Sequence, residues 1–280
     1  MKQLLLPMEK VKKSNAICRA RWSPENIYEP RIVAILASKI QLSDDDFKEY
    51  EIPVVDLFGK NYGGGNYKIL QQTIESLISR TVTIQEDNGS FMVYPIFTKG
   101  GYLTQTNTIK IKINSDLKHH FLKLKKQYTQ YNLMEFLTLS STYSQRLFEY
   151  LKSWEDCEST QIAVDELHKI LGTLETARKN FAEFKRRILE PALKEINKKT
   201  SLEYSWKPIK FKNKVDQVLF INSTPRKESQ KENGNQEEQH SSARPQPVQA
   251  NFDEYIKQQE KHMAEEKKRL VEESKKNKNK

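Results

Sequence analysis

Little in this sequence is suited to holding a catalytic metal or a nucleotide. Its nine glycines form no GxGxxG and no GxxxxGK[ST] run, so a phosphate-cradling loop of either kind is excluded. The two cysteines, Cys18 and Cys157, lie far apart without CxxC spacing, which argues against a disulfide scaffold and fits a reducing, cytoplasmic setting. Of five histidines, His119 and His120 are neighbours that point apart on a helix, and His240 and His262 sit near the end of the chain. No His-x-His occurs, the spacing expected beside the tyrosine of a DNA-nicking enzyme, so the 12 tyrosines read as core and surface residues. No cofactor, no metal and no catalytic residue is expected. Long apolar runs are also missing: the longest, Ile32 to Ala37, is far short of the ~20 residues that cross a bilayer, so neither membrane insertion nor secretion is expected.

What the chain has is positive charge, 47 Lys+Arg against 37 Asp+Glu in 280 residues, a net +10. Residues 225–280 hold only +2 of it, 13 Lys+Arg against 11 Asp+Glu, so +8 falls on residues 1–224. A basic folded surface points to a polyanion, because Lys and Arg displace condensed counterions from phosphates. Residues 225–251, rich in Pro, Gln, Ser and Glu, have almost nothing to bury and read as a disordered linker. Phe252 to Ser274 follows as a charged helix of weak amphipathicity, read as solvated, with docking on a partner as the alternative.

One pattern occurs twice in the remainder. Arg31-Ile-Val-Ala-Ile-Leu lines up with Arg146-Leu-Phe-Glu-Tyr-Leu, and Ile52-Pro-Val-Val-Asp-Leu-Phe-Gly with Ile162-Ala-Val-Asp-Glu-Leu-His-Lys-Ile-Leu-Gly. Tyr67, Leu70, Ile74 and Ile78 then match Phe181, Phe184, Ile188 and Ala192. Each copy runs from a striped helix through a short strand and second helix to a third amphipathic helix and a hairpin. In the first copy the hairpin is 81–85 against 91–97, turned at Asp87-Asn88-Gly89, with 108–113 as a further strand; in the second it is 202–209 against 215–221. This is the grammar of a winged helix-turn-helix. The expected fold is α+β, two tandem winged-helix domains related by internal duplication: 1–113, a Lys-rich helical linker 114–139, 140–224, and the tail 225–280.

The third helix of the second copy, about 174–197, carries the functional signal. Ala177, Phe181, Phe184, Ile188, Ala192 and Ile196 share one side at 100° per residue; Lys179, Arg186, Arg187, Glu190 and Lys194 share the other. A recognition helix needs that division, since one face anchors it while long cations reach phosphates or guanine edges in the major groove. Arg178 and Lys185 flank the stripe and are placed to grip backbone, and Pro191 should bend the helix. Glu183, Glu190 and Glu195 dilute the charge. In the first copy Asn66 caps the equivalent helix after a Gly63 to Gly65 turn, and the open face of Lys68, Gln71, Gln72 and Glu75 is suited to reading bases, touching backbone or binding protein. Lys207, Lys210, Lys212 and Lys214 around the second hairpin, and Lys99 in the first domain, are wing candidates for phosphate contact.

The runs Ser144-Gln-Arg-Leu-Phe-Glu-Tyr-Leu-Lys-Ser-Trp154, Val164 to Gly172 and Phe184-Lys-Arg-Arg-Ile-Leu-Glu-Pro-Ala-Leu-Lys-Glu-Ile-Asn197 closely resemble the iteron-binding plasmid replication initiators, the Rep_3 or RepB family. The resemblance covers about residues 10–222 and leaves the tail without a counterpart. It implies a non-enzymatic protein that binds direct repeats of double-stranded DNA at a plasmid origin as a monomer, helps melt the origin, recruits a host initiator and helicase, and represses its own promoter as a homodimer. It also makes the helix of Lys185, Arg186 and Arg187 the main major-groove reader, and gives the first domain the other end of the repeat or the dimer interface. The rival readings are a winged-helix transcriptional repressor without a replication role and, from another class, a nicking enzyme.

Overall fold

The computed structural model describes residues 9–41, 43–58, 67–85 and 89–224. The expectations for Asn66, for Gly63 to Gly65, for Asp87-Asn88 and for the tail 225–280 lie outside these residues. The described chain opens with β1 (Lys10–Ser14) and a short helix, α1 (Asn15–Arg19), capped by Ser14 Oγ, which accepts from the Ile17 amide at 3.2 Å. A first unit follows: α2 (Tyr28–Lys39), β2 (Tyr50–Pro53), α3 (Val54–Phe58), α4 (Tyr67–Ser79), β3 (Thr81–Gln85), β4 (Phe91–Pro95), β5 (Phe97–Leu103) and β6 (Thr108–Ile113). After a 3₁₀ turn (Ser115–His120), β7 (Tyr128–Asn132) and α5 (Leu133–Leu137), the second unit comprises α6 (Thr142–Lys152), β8 (Ser159–Ala163), α7 (Val164–Leu171), α8 (Glu175–Arg178), α9 (Phe181–Phe184), a π turn (Lys185–Leu189), α10 (Glu190–Lys199), β9 (Tyr204–Phe211) and β10 (Lys214–Asn222).

The two units share one sheet topology, β2-β6-β5 in the first and β8-β10-β9 in the second, so a strand ahead of the second helix pairs with the far strand of a hairpin in both. Two tandem winged helices are therefore present, as the repeat implies. The correspondence moves the first wing, however. The hairpin of β3 and β4 is a separate two-stranded sheet inserted after α4, whereas the strand expected to run through residue 97 ends at Pro95 and β5 begins at Phe97 to pair with β6. Gly100 permits this: a Cβ there would lie 2.9 Å from Ile78 Cδ1, so β5 packs directly on α4 only without a side chain.

The stretch 114–139, expected to be helical, is mostly not. Tyr128 to Asn132 alternates exposed and buried residues and pairs antiparallel with β1, Lys10 opposite Asn132 and Ser14 opposite Tyr128. Aromatic and β-branched residues at period 2 favour a strand once a partner is available, and that partner lies at the other end of the domain.

The core of the first unit is α2, buried from Tyr28 through Ala37. The aligned arginines of the repeat, Arg31 and Arg146, are both fully buried. Arg31 donates to the carbonyls of Leu137 and Leu139 at 3.0 and 2.9 Å. Arg146 donates to Ala20 O at 2.7 Å and to Glu149 Oε2 at 2.6 Å. Guanidinium groups can be buried where carbonyls and a carboxylate replace water around them. The units also meet through Arg21, whose Nε and one terminal nitrogen reach the two oxygens of Glu166 at 2.6 Å each, and through Arg19, stacked 3.4 Å over the Trp154 ring. Gly172 ends α7 in the left-handed region at φ 64°, and a Cβ there would meet Ser23 Cα at 2.6 Å.

Candidate nucleic-acid interface

The helix from α9 through the π turn to α10 is continuous and is anchored as its stripe implies. Phe184, Ile188, Ala192 and Ile196 are buried, together with Leu189 and Leu193, while Ala177 and Phe181 are half-buried against the same core. Asn180 Oδ1 caps it by accepting from the Ala182 amide at 2.9 Å. Residues 174–180 form only the short α8, so Arg178 and Lys179 stand on a separate turn ahead of the main helix. Pro191 lacks the amide for a normal i to i−4 bond and its ring crowds the carbonyl one turn back. The widened π turn falls on those preceding residues, with the Glu190 amide bonded to Lys185 O, and the helix continues past Pro191 to Lys199.

On the open face Lys179, Arg186, Arg187, Glu190 and Lys194 are all exposed. Arg186 is 65% and Arg187 69% exposed, and both side chains lean on one carboxylate, Glu183, at 2.9 and 2.6 Å. The Arg186 guanidinium, joined by Arg187, holds the Glu183 carboxyl below its usual range. The main candidate cations thus share an internal stand-in for a phosphate. Lys185 is turned aside, 5.7 Å above the Trp206 ring and 3.5 Å from Glu190.

The structure gathers Arg187 and Lys194 on a cleft of about 410 Å³ that also takes in the amino-terminal end of α6. Lys198 and Lys199 line the same cleft and were not singled out by the sequence pattern, because the helix was expected to end at Asn197. Lys199 is tied down, donating to Thr138 O and Glu195 Oε1 at 3.0 Å each. Ser141 caps α6 by accepting from the Tyr143 amide at 3.1 Å, so a helix terminus adds its partial positive charge to the side chains.

The second wing is a tight hairpin. Phe211 pairs with Lys214 across Lys212 and Asn213, both at positive φ (44° and 65°), the conformation a two-residue turn of the right twist requires. Lys207, Lys210, Lys212 and Lys214 are exposed along it. The first domain is weaker in charge. Lys68, Gln71 and Gln72 lie exposed on α4, with Gln71 donating to Glu75 at 2.7 Å. Lys99 stands on strand β5 and donates to Glu49, which also takes Lys110, each at 2.7 Å. These two lysines pull the Glu49 carboxyl down to about 2, so the positive charge of Lys99 is compensated in the free protein.

Comparison with known proteins agrees with two tandem winged-helix domains. A family model described as "Initiator Replication protein, WH1" matches residues 10–152, and one described as "Initiator Rep protein, WH2" matches residues 163–222. An uncharacterized 27.6 kDa protein of Escherichia coli is 29% identical over 137 residues, 48% of this chain and 57% of that protein. A probable replication protein rep of Bifidobacterium longum (strain NCC 2705) is 22% identical over 110 residues, 39% of this chain and 37% of that one. The chain therefore spans less than two thirds of either curated relative. Among solved structures, that of Pi initiator protein in complex with iteron DNA matches 80% of this chain and 100% of that chain with a TM-score of 0.61 at 17% identity, a likeness of fold. No helix among the described residues is long and apolar enough to cross a membrane.

Proposed function

Because the chain belongs to the initiator replication protein family, with both winged-helix domains matched in order, we propose that it starts plasmid replication by binding direct repeats at the origin as a monomer. The observation that carries this reading is the exposed Arg186, Arg187 and Lys194 face, backed by the buried stripe from Phe184 to Ile196 and flanked by a lysine-bearing wing. The helix supplies base-edge and close phosphate contacts, and Lys207, Lys210 and Lys212 lie along the neighbouring backbone. Lys179, Lys185 and Arg178 assist at the backbone, while Lys68, Gln71 and Gln72 bring α4 to the other end of the repeat. Lys99 joins after exchanging Glu49 for phosphate. The work is done in the cytoplasm by binding alone, without covalent chemistry, and extends to melting the origin and recruiting a host initiator and helicase.

As a homodimer the chain represses its own promoter. The support for a dimer is β4, which has one strand partner among the described residues, β3, and exposes Phe91, Met92 and Val93 at 59%, 49% and 50%. An apolar unpaired edge of this kind invites a second strand.

The test is affinity for a duplex carrying the direct repeats beside the gene, expected at about 20 bp, two turns of about 10 to 10.5 bp each. Arg186→Ala and Arg187→Ala should each weaken binding by roughly 1–3 kcal/mol and relax the preference at one base pair. If both variants keep the wild-type affinity and salt slope, this helix is not the reader.

A further inference from the structure

A second cleft, of about 330 Å³, opens between the two winged helices, where the end of α4 faces α7 and α8. One wall is the segment after α1, with Arg21, Trp22 and Ser23, beside Arg80 at the end of α4; the other is Lys169 in the last turn of α7 and Arg178 in α8. Four cations line it and no carboxylate does. Their partners neutralise them incompletely. Arg21 and Lys169 share the single carboxylate of Glu166, at 2.6 and 3.7 Å. Arg80 reaches Glu25 and Glu29, and Arg178 spends only its Nε, on Thr173 O at 3.1 Å.

Trp22 forms part of the cleft wall at 6% exposure, with its ring 5.4 Å from the buried Arg146 guanidinium. Four cations around a space at the lower end of ligand cavities (about 300–1,000 Å³) suit a tetrahedral oxyanion.

We propose that this interdomain cleft is a phosphate site that takes the DNA backbone where the strand passes from the first domain to the second. The assignment of the phosphate to DNA rests on the reading of the chain as a repeat-binding initiator; the site itself does not. A phosphate held here would touch both domains at once and so fix their spacing on the repeat.

The full chain tests this with a set of repeat duplexes, each carrying one neutral methylphosphonate at a successive backbone position, against wild type and Lys169→Gln. Lys169 is half exposed, so the variant should fold. Lys169→Gln is expected to weaken binding several-fold and to lower the slope of log affinity against log salt by about 1. One methylphosphonate should cause the same loss in wild type and no further loss in Lys169→Gln. In a second arm, pyrophosphate is titrated into the protein without DNA while the melting temperature is followed. Stabilisation that Lys169→Gln abolishes, without coupling at any methylphosphonate, keeps the phosphate site and makes its ligand a free one. If the chain binds no repeat at all, the initiator reading fails and the pyrophosphate arm alone decides the cleft. No coupled position, together with a pyrophosphate response equal in wild type and Lys169→Gln, overturns the proposal.

Discussion

Lys13 in β1 and Glu149 in α6 form a buried ion pair across 136 residues of sequence, with 3% and 1% of their side chains exposed. Arg146 and the Tyr131 hydroxyl complete the carboxylate at 2.6 and 2.7 Å. Burial opposes the charge on Glu149, but Lys13 and Arg146 outweigh it and hold the carboxyl below its usual range. Glu149→Gln should therefore cost about 3–5 kcal/mol, because it leaves two buried cations without their counter-charge. Urea unfolding followed by circular dichroism measures it; a loss under 1 kcal/mol would mean that the cluster does not hold β1 and β7 against α6.

Glu183 competes with DNA for Arg186 and Arg187. Replacing it by Gln frees both guanidinium groups and removes a negative charge from the interface. Glu183→Gln should bind both repeat and unrelated duplexes more tightly, the unrelated ones gaining more because phosphate contacts carry no sequence information. A fluorescence anisotropy titration at two salt concentrations reads both, and unchanged affinity would show that the carboxylate is not in competition.

The exposed edge of β4 predicts the behaviour of the dimer. Val93→Glu places a charge at the middle of β4, and two copies pairing along this edge would bring like charges together. Sedimentation should show a shift to monomer with circular dichroism unchanged. A dimer that survives the substitution places the interface elsewhere.

Acid should loosen the junction of β1 and the 3₁₀ turn. His120 is buried, with Nδ1 2.7 Å from Ser14 Oγ, and burial, aided by the neighbouring His119, pushes its ring down to about 4 from the usual 6.5. The neutral ring stabilises the fold fully above pH 6.5, and that contribution is lost as pH falls toward 4. Asp56, raised by burial to about 6, acts in the opposite sense and cancels between wild type and a His120 variant. Melting temperature should thus fall less steeply between pH 6.5 and 4 in His120→Gln than in wild type, and parallel curves would deny His120 the role.

What could be read from sequence follows from how local each signal is. The stripe from Phe184 to Ile196 and the cationic face opposite it depend only on helical spacing, and they stand as expected. The pairing of Arg31 with Arg146 survived because both copies bury an arginine at the same point of the first helix. The strand at Tyr128 to Asn132 was not legible, since its partner is 114 to 122 residues away, from Ser14 with Tyr128 to Lys10 with Asn132, and Lys-rich flanks suggest a solvated helix. Lys13 looks like a surface residue until Glu149 is placed beside it. The first wing was misplaced because the β3–β4 insertion has the stronger turn signal, Asp87-Asn88-Gly89, than the wing itself. In the second domain the Glu183 contacts were latent in its spacing of three and four residues from the arginines.

The π turn at Lys185–Leu189 uncouples two halves of one rod. An extra residue in a single turn advances the helix by about 100° of azimuth, so the phase of Arg186 around the axis is set separately from that of Lys194 behind it. Ala192, Leu193 and Ile196 hold the rear half to the domain, and Phe184 and Ile188 hold the front half to the same core. Loss of that one residue would turn Phe184 out of the core as it rotated Arg186, so the aim of the tip and the packing beneath it change together.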